Sequence, residues 1–117
     1  SSSVNWIGKS GQNYNFELYE LGTTFKNLGG VYVFCKPSRP GFLEALYVGQ
    51  TQSFVNRLNS GLHDHDGFKR AYSSGATHVS VLIEENATIR FRIETDLRHG
   101  LNPPCNEQGI ATLLSGS

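Results

Sequence analysis

Apolar residues recur at every second position in several stretches of the chain, and this period is typical of β-strands. The first stretch, residues 14–18, predicts a short half-buried strand that ends near Gly22. Two β-branched and aromatic runs, 31–35 and 45–48, lie on either side of a segment rich in Pro and Gly. We therefore predict that they pair as a hairpin, and we place a last strand at 78–83.

Three helices are predicted where the apolar period changes. The first begins after a cap at Thr51 or Ser53 and ends at Gly61, the second covers 66–75, and the third covers 87–99. The predicted order is β-β-α-α-β-α with an extra N-terminal strand. This order indicates a small α/β (α+β) domain with a short mixed or antiparallel sheet flanked by three helices.

The 117 residues are enough for one domain with its own core. Residues 1–13 are rich in Ser, Gly and Asn and contain little to bury, so we expect a flexible N-terminal arm there. The domain is predicted to span residues 14–114, and residues 115–117 are predicted to form a tail.

The charge and composition exclude several classes of protein. Charged residues make up 17% of the chain, and the 13 glycines indicate many turns, which excludes a coiled coil and a charge-driven disordered chain. Ten Lys and Arg residues balance ten Asp and Glu residues, so the formal net charge is zero. The strong positive field of autonomous nucleic-acid binders is therefore absent, and any nucleic-acid contact is expected to be local or weak.

The two cysteines, Cys35 and Cys105, allow at most one disulfide, which is not a disulfide framework. We expect buried thiols in a reduced, cytoplasmic setting. No stretch approaches the roughly 18 apolar residues needed to span a bilayer, and the first residues lack the features of a signal peptide. No membrane contact is predicted.

Two short Gly/Tyr motifs stand on the predicted hairpin strands. Gly-Val-Tyr occupies 30–32, Tyr-Val-Gly occupies 47–49, and Arg57 follows on the next predicted helix. Glu94 lies on the third predicted helix, and Asn106 follows it. In this order and spacing, the set resembles the GIY-YIG nuclease family.

The resemblance covers about residues 29–108 and implies a metal-dependent endonuclease that hydrolyses phosphodiester bonds in DNA. It implies that Glu94 binds Mg²⁺ or Mn²⁺ and that Tyr32 helps to deprotonate the attacking water. By the same resemblance, Tyr47 and Arg57 orient and neutralise the scissile phosphate. Which tyrosine acts as the base is left open.

Two features depart from the family pattern. Gln50 stands where a Lys often follows the second motif in the family, and the chain carries none of the DNA-binding domains appended to many members. The alternative function is a catalytically inert module that keeps the fold and binds nucleic acid or a protein partner. A module without chemistry has no need for all five polar positions, which favours the enzyme.

The residue types at these positions suit phosphodiester chemistry. Tyr32 and Tyr47 can face each other across a hairpin, where directly opposed residues lie about 5 Å apart. A phenol is a poor base at neutral pH unless a cation lowers its pKa. The planar guanidinium of Arg57 can bind a phosphate through two hydrogen bonds.

Glu94 lies at the border of the apolar stripe of the third predicted helix and not within it. It also forms an i,i+4 pair with Arg98, and Asp96 is a rival metal ligand. One carboxylate with waters and substrate oxygens suits a hard cation such as Mg²⁺. Asn106 follows two prolines, so its amide can either tether a backbone or orient a phosphate, and both roles stay open.

A His-Asp-His-Asp cluster occupies residues 63–66, where it is predicted to be a solvated loop with Asp66 as a helix cap. His63 is the candidate auxiliary residue of this cluster. Lys69 and Arg70, on the helix that follows, are candidate contacts to a nucleic-acid backbone.

Overall fold

The computed structural model describes residues 2–106 of the chain. Within them are five strands, two α-helices, one π-helical turn and one 3₁₀ turn. The strands are β1 (Ser2–Ile7), β2 (Asn13–Glu20), β3 (Gly30–Arg39), β4 (Phe42–Thr51) and β5 (His78–Ile83). The helical elements are the π-helical turn Val55–Asn59, the 3₁₀ turn Leu62–Asp64, α1 (Asp66–Ser73) and α2 (Ala87–Leu101).

The strands form one sheet in the order β1-β2-β5-β3-β4, and every neighbouring pair is antiparallel. The predicted α+β class is confirmed, and of the two predicted sheet types the structure has the antiparallel one. The predicted hairpin is formed by β3 and β4, and the predicted last strand has the bounds of β5. The first predicted helix is replaced by the π-helical turn and the 3₁₀ turn.

The sheet separates two hydrophobic clusters, one on each face. On β3, Tyr32 and Phe34 belong to the first cluster, whereas Val31, Val33 and Cys35 belong to the second. The first cluster packs under α1 and the π-helical turn, and the second packs under α2. All five β3 side chains are buried, which explains why this strand has a continuous apolar sequence.

The N-terminal residues correct the prediction of a flexible arm over 1–13. Residues 2–7 form β1, which pairs with β2 along its whole length. Trp6 is buried, and its indole Nε1–H donates a hydrogen bond of 2.9 Å to the hydroxyl of Ser80 on β5. A segment with little apolar sequence is therefore held by its backbone pairing and by one large aromatic side chain.

The docking of β1 predicts the effect of a substitution at its buried aromatic. We expect Trp6→Phe to lower the free energy of unfolding by about 1 kcal/mol, because the hydroxyl of Ser80 loses its buried donor. Urea denaturation of the two proteins measures this difference. Equal stability of the parent and the variant would contradict the docking of β1.

The end of α2 also differs from the prediction. The helix continues past its predicted end at residue 99, so Gly100 lies within it, and Asn102 ends it with a left-handed backbone at φ 49°. A Cβ atom at Gly100 would lie 2.5 Å from the backbone of Gly8 and Lys9. Gly100 therefore allows the β1–β2 turn to pack closely against α2.

Both cysteines are buried and free, as predicted. They lie in the clusters on opposite faces of the sheet, and burial raises the pKa of Cys35 to about 12. The Cys35 thiol is therefore not an activated nucleophile, and the two thiols do not form a bridge with each other. No helix within residues 2–106 is long and apolar enough to cross a membrane.

Candidate active site

A polar pocket of about 480 Å³ lies where β4, the π-helical turn, the start of α1 and α2 meet. Four residues of the predicted set line it: Tyr47, Arg57, Glu94 and Asn106. Further arginines and aspartates complete the wall, so both signs of charge face the same cavity: Arg70, Arg98, Asp64 and Asp66. Residues far apart in the sequence are thus brought to one place by the fold.

Tyr32, the fifth predicted residue, lies behind the pocket. It is 1% exposed and is absent from the pocket lining, and its ring stacks on Tyr47 with the two ring centroids 6.2 Å apart. Burial strongly raises the pKa of Tyr32, and the neighbouring Tyr47 raises it further. Tyr47 is therefore the phenol that a ligand in the pocket meets first.

Two glycines leave room for the stacked phenols. A Cβ atom at Gly49, the last residue of the second motif, would lie 2.5 Å from the Tyr32 hydroxyl and 2.9 Å from the Tyr47 ring. A Cβ atom at Gly67 on α1 would overlap the other edge of the Tyr47 ring. The absence of a side chain at both positions lets the strand and the helix approach the phenols closely.

His65 is the site residue that sequence reasoning missed. The structure buries it completely, and its Nε2 lies 2.6 Å from the hydroxyl oxygen of Tyr32. Its Nδ1 accepts a hydrogen bond of 3.2 Å from the backbone N–H of Phe68, so His65, and not Asp66, caps α1. Because Nδ1 accepts, the neutral ring carries its proton on Nε2 and donates it to Tyr32.

This histidine orders the hydrogen bonds of the tyrosine pair. The Tyr32 oxygen accepts from His65, so the Tyr32 proton is free to point towards Tyr47. Burial raises the pKa of Tyr47, while Arg57 and a hydrogen bond from Tyr32 oppose that increase. The negative charge of Glu94 adds to the rise in the pKa of Tyr47, so the donors and positive charges around this phenol reduce the rise without reversing it.

The neutral state of His65 predicts a pH dependence of stability. Burial, with Arg57 and Arg70 nearby, lowers its pKa from 6.5 to about 4. Between these values the unfolded chain binds a proton that the folded chain does not, so stability falls as the pH drops from 6.5 towards 4. The contribution of this one group is at most about 1.4 kcal/mol per pH unit.

The variant His65→Asn isolates this contribution, since Asn preserves the helix cap and does not titrate. We expect urea denaturation of the parent to show a larger loss of stability between pH 7 and pH 5 than that of the variant. An identical loss in both proteins would mean that the pKa of His65 is the same in the folded and unfolded states.

Arg57 reaches the pocket from the π-helical turn. The hydroxyl of Ser53, one of the two predicted caps, accepts a hydrogen bond of 3.1 Å from the backbone N–H of Asn56 and begins the turn. In a π-helical turn the hydrogen bonds join residues five apart instead of four, and such turns occur often at functional sites. A hydrogen bond and the positive charge of Arg57 oppose the rise in the pKa of Tyr32, which places the guanidinium beside both phenols.

Glu94 and its rival Asp96 point to different parts of the molecule. Glu94 lines the pocket, and burial raises its pKa, while Arg98 opposes that increase. Asp96 accepts hydrogen bonds from the backbone N–H of Ser10 at 2.9 Å, from its hydroxyl at 2.7 Å, and from the Tyr14 hydroxyl at 2.8 Å. Asp96 therefore anchors the β1–β2 turn and is not a ligand in this pocket.

Asn106 binds the backbone of edge strand β4 next to Tyr47. Its side-chain oxygen accepts from the Val48 N–H, and its side-chain N–H donates to the Val48 carbonyl, both at 2.9 Å. Of the two roles left open by the sequence, the structure therefore shows the backbone tether. Arg70 ties down the same segment by donating from Nε to the Cys105 carbonyl at 2.8 Å.

Two of the other predicted residues lie outside the pocket lining. The side chain of His63 is 78% exposed and lies 3.4 Å from Asp64, and that of Lys69 is 59% exposed and lies 3.9 Å from Asp66. Both remain on the solvated surface. Of the predicted nucleic-acid contacts, Arg70 alone lines the pocket.

The donor set of the pocket fits one kind of metal site. Within residues 2–106, no group of three His, Cys, Asp or Glu side chains could hold an ion by itself. Mg²⁺ binds through one or two carboxylates, retains several waters and takes phosphate oxygens from the substrate. Glu94 suits such a cation, whereas a zinc cage would need more protein ligands.

No protein-family model, curated protein or solved structure matches this chain. The resemblance to GIY-YIG nucleases therefore depends on the motifs and their spacing. The function is argued from the pocket itself.

Proposed function

We propose that this chain is a Mg²⁺-dependent endonuclease that hydrolyses phosphodiester bonds in DNA, and that the polar pocket is its active site. The observation that carries the proposal is the convergence of Tyr47, Arg57 and Glu94 on one pocket from three separate elements. The order β3, β4, helical turn, α1, β5, α2 supports assignment of the domain to the GIY-YIG fold. Neither packing nor solubility requires these three polar groups to meet.

Arg57 binds the scissile phosphate in this proposal. Its planar guanidinium can donate two parallel hydrogen bonds to phosphate oxygens. The charge on those oxygens grows as the phosphodiester bond is attacked, so the contact strengthens in the transition state. The partly buried site makes this interaction stronger than it would be in open solvent.

Glu94 is the residue that would hold Mg²⁺ or Mn²⁺. The bound cation supplies positive charge at the phosphate and lowers the pKa of a coordinated water. Burial raises the pKa of Glu94 because it destabilises the ionised carboxylate. A nearby positive charge would stabilise the ionised form and offset that cost. Glu94 therefore has a physical reason to take a cation when a substrate enters.

Tyr47 is the base that we assign to the attacking water. Tyr47 lines the pocket, and Arg57 and the hydrogen bond from Tyr32 oppose the rise in its pKa that burial and Glu94 cause. A cation bound beside it would lower this pKa further, which a phenol needs to act as a base at neutral pH. Tyr32 and His65 are positioning residues, because they orient Tyr47 from behind and do not line the pocket. Asn106 holds the β4 backbone beside Tyr47 in the same way.

Incubation of the purified chain with supercoiled plasmid tests the proposal. Nicked or linear plasmid should form with Mg²⁺ or Mn²⁺ and not with EDTA. A folded protein that binds DNA and leaves plasmid, linear duplex and branched DNA intact with either cation would instead be the inert module. In that case the nuclease proposal is wrong.

A further inference from the structure

The tip of the β3–β4 hairpin presents an exposed arginine–phenylalanine pair. Arg39 and Phe42 are directly opposed in the antiparallel register, and the Arg39 guanidinium carbon lies 4.2 Å from the centroid of the Phe42 ring. Phe42 is 55% exposed, although a phenyl ring usually packs in a core. The pair contributes little to the core and is presented to solvent.

The turn that joins the two residues is stiff. Pro40 has a fixed φ, and Gly41 adopts a φ of +83°, which is the pattern of a type II turn. Little conformational entropy is therefore lost when the tip binds a partner.

The pair lies on the sheet face that carries the pocket. Leu43 and Ala45 pack in the second hydrophobic cluster, so strand alternation directs Phe42 and Glu44 to the opposite face. A β-bulge at Leu46 interrupts this alternation, so Tyr47 also packs against the first cluster on that opposite face. At about 3.3 Å per residue along β4, Phe42 lies about 16 Å from Tyr47.

α1 runs along this face from the polar pocket towards the β3–β4 hairpin. Gly67, at its start, packs against the Tyr47 ring, and the carbonyl of Ser74, just after its end, accepts a hydrogen bond of 2.9 Å from Lys36 Nζ. Lys69 and Arg70 lie on the helix between these points. Basic side chains therefore lie between the pocket and the hairpin, with the acidic Glu44 opposite Lys36.

The chemistry of the tip suits a sugar–phosphate backbone. Within residues 2–106, Arg39 forms no ion pair with a carboxylate, so its charge can neutralise a phosphate. The adjacent phenyl ring offers apolar surface for a deoxyribose or the edge of a base. This combination suits DNA better than an acidic peptide, which would leave the ring without an apolar partner.

We propose that Arg39 and Phe42 form a second contact for duplex DNA, about five base pairs along the helix from the phosphate bound in the pocket. The spacing follows from about 16 Å between the two sites and about 3.4 Å per base pair. The inference rests on the proposed nuclease function and identifies its substrate as duplex DNA that extends beyond the cleaved bond.

Binding of a fluorescein-labelled duplex about two helical turns long, measured by anisotropy in EDTA at several salt concentrations, tests this contact without cleavage. We expect Arg39→Gln to weaken binding severalfold and to reduce the slope of log K against log salt by about one. We expect Phe42→Ala to weaken binding about threefold or more and to leave that slope unchanged.

The matched controls are Phe91 and Arg92, two residues of α2 that lie outside the lining of the polar pocket. Phe91→Ala removes a ring that is 62% exposed, and Arg92→Gln removes an exposed guanidinium. Both should bind the duplex as the parent does. Thermal unfolding checks that all four variants keep the parent's stability.

The outcomes separate this contact from the nuclease proposal. The second contact is overturned if both hairpin variants bind the duplex as the parent does, even if the parent cleaves plasmid. It is also overturned if the α2 controls lose as much duplex affinity as the hairpin variants. Selective losses in the hairpin variants support the contact even if no cleavage is observed. Absence of any duplex binding by the parent overturns it as well.

Discussion

Replacement of Glu94 by Gln is expected to abolish metal-dependent DNA cleavage and to leave the fold intact. Glu94 is the carboxylate that α2 contributes to the pocket, and Gln has nearly the same shape without the negative charge. The cation then loses the carboxylate that we assign to it, so we expect a loss of at least about a hundredfold in rate. The burial that raises the pKa of Glu94 shows that its charge costs stability, so the neutral Gln should be tolerated.

Plasmid nicking at saturating Mg²⁺ and Mn²⁺ measures this loss, and urea denaturation measures the stability. The matched control is Asp96→Asn, which changes the other carboxylate of α2 in the same way. Asp96 accepts three hydrogen bonds from Ser10 and Tyr14, so its variant should be less stable than the parent. At a temperature where it is folded, it should still cleave DNA.

Near-normal nicking by Glu94→Gln, with equal dependence on the cation, would show that Glu94 does not hold the metal. Because Asp96 lies at the β1–β2 turn, the role could not simply pass to it. Such a result would count against the nuclease proposal as a whole.

Replacement of Arg57 by Lys is expected to slow cleavage at least about tenfold. Loss of one hydrogen-bond donor to the charge that develops in the transition state typically raises the activation barrier by about 3 kcal/mol. Lys keeps the positive charge and the helix propensity, but it replaces a planar two-pronged donor by a mobile point charge. The contact strengthens as charge develops on the phosphate, so the rate should fall while DNA affinity changes little.

Single-turnover cleavage and anisotropy binding in EDTA separate these two effects. Arg92→Lys is the matched control, since Arg92 is an exposed arginine of α2 that is absent from the lining of the polar pocket. It should cleave and bind as the parent does. Equal cleavage rates for Arg57→Lys and the parent would remove Arg57 from the site.

The elements with strong local patterns were predictable from the sequence. The alternation around Val79 and Val81 predicted β5 with its observed bounds, and the side chain of Asn86 caps α2 as its position indicates. The glycines, prolines and apolar runs likewise predicted the β3–β4 hairpin. These signals act over a few residues, where the strand period, capping and turn chemistry determine the backbone.

The choice between neighbouring candidates depended on contacts distant in sequence. His63 and His65 are two residues apart, yet one is solvated and the other donates to Tyr32, because only one of them meets β3 after the turn. Asp96 and Glu94 are likewise two residues apart on α2 and therefore point to different surroundings. Local periodicity describes directions around an element but not what the rest of the chain places there.

The sequence by itself determined the α+β class, the hairpin that carries both motifs, and the set of polar residues from which the pocket is built. Only the tertiary structure decided that β5 lies between β2 and β3, that Trp6 docks β1, and that Asn106 binds the Val48 backbone. Each of these is a pairing between distant segments. Its free energy comes from burial and hydrogen bonds that exist only after the chain has closed the intervening loop, so no local pattern encodes it.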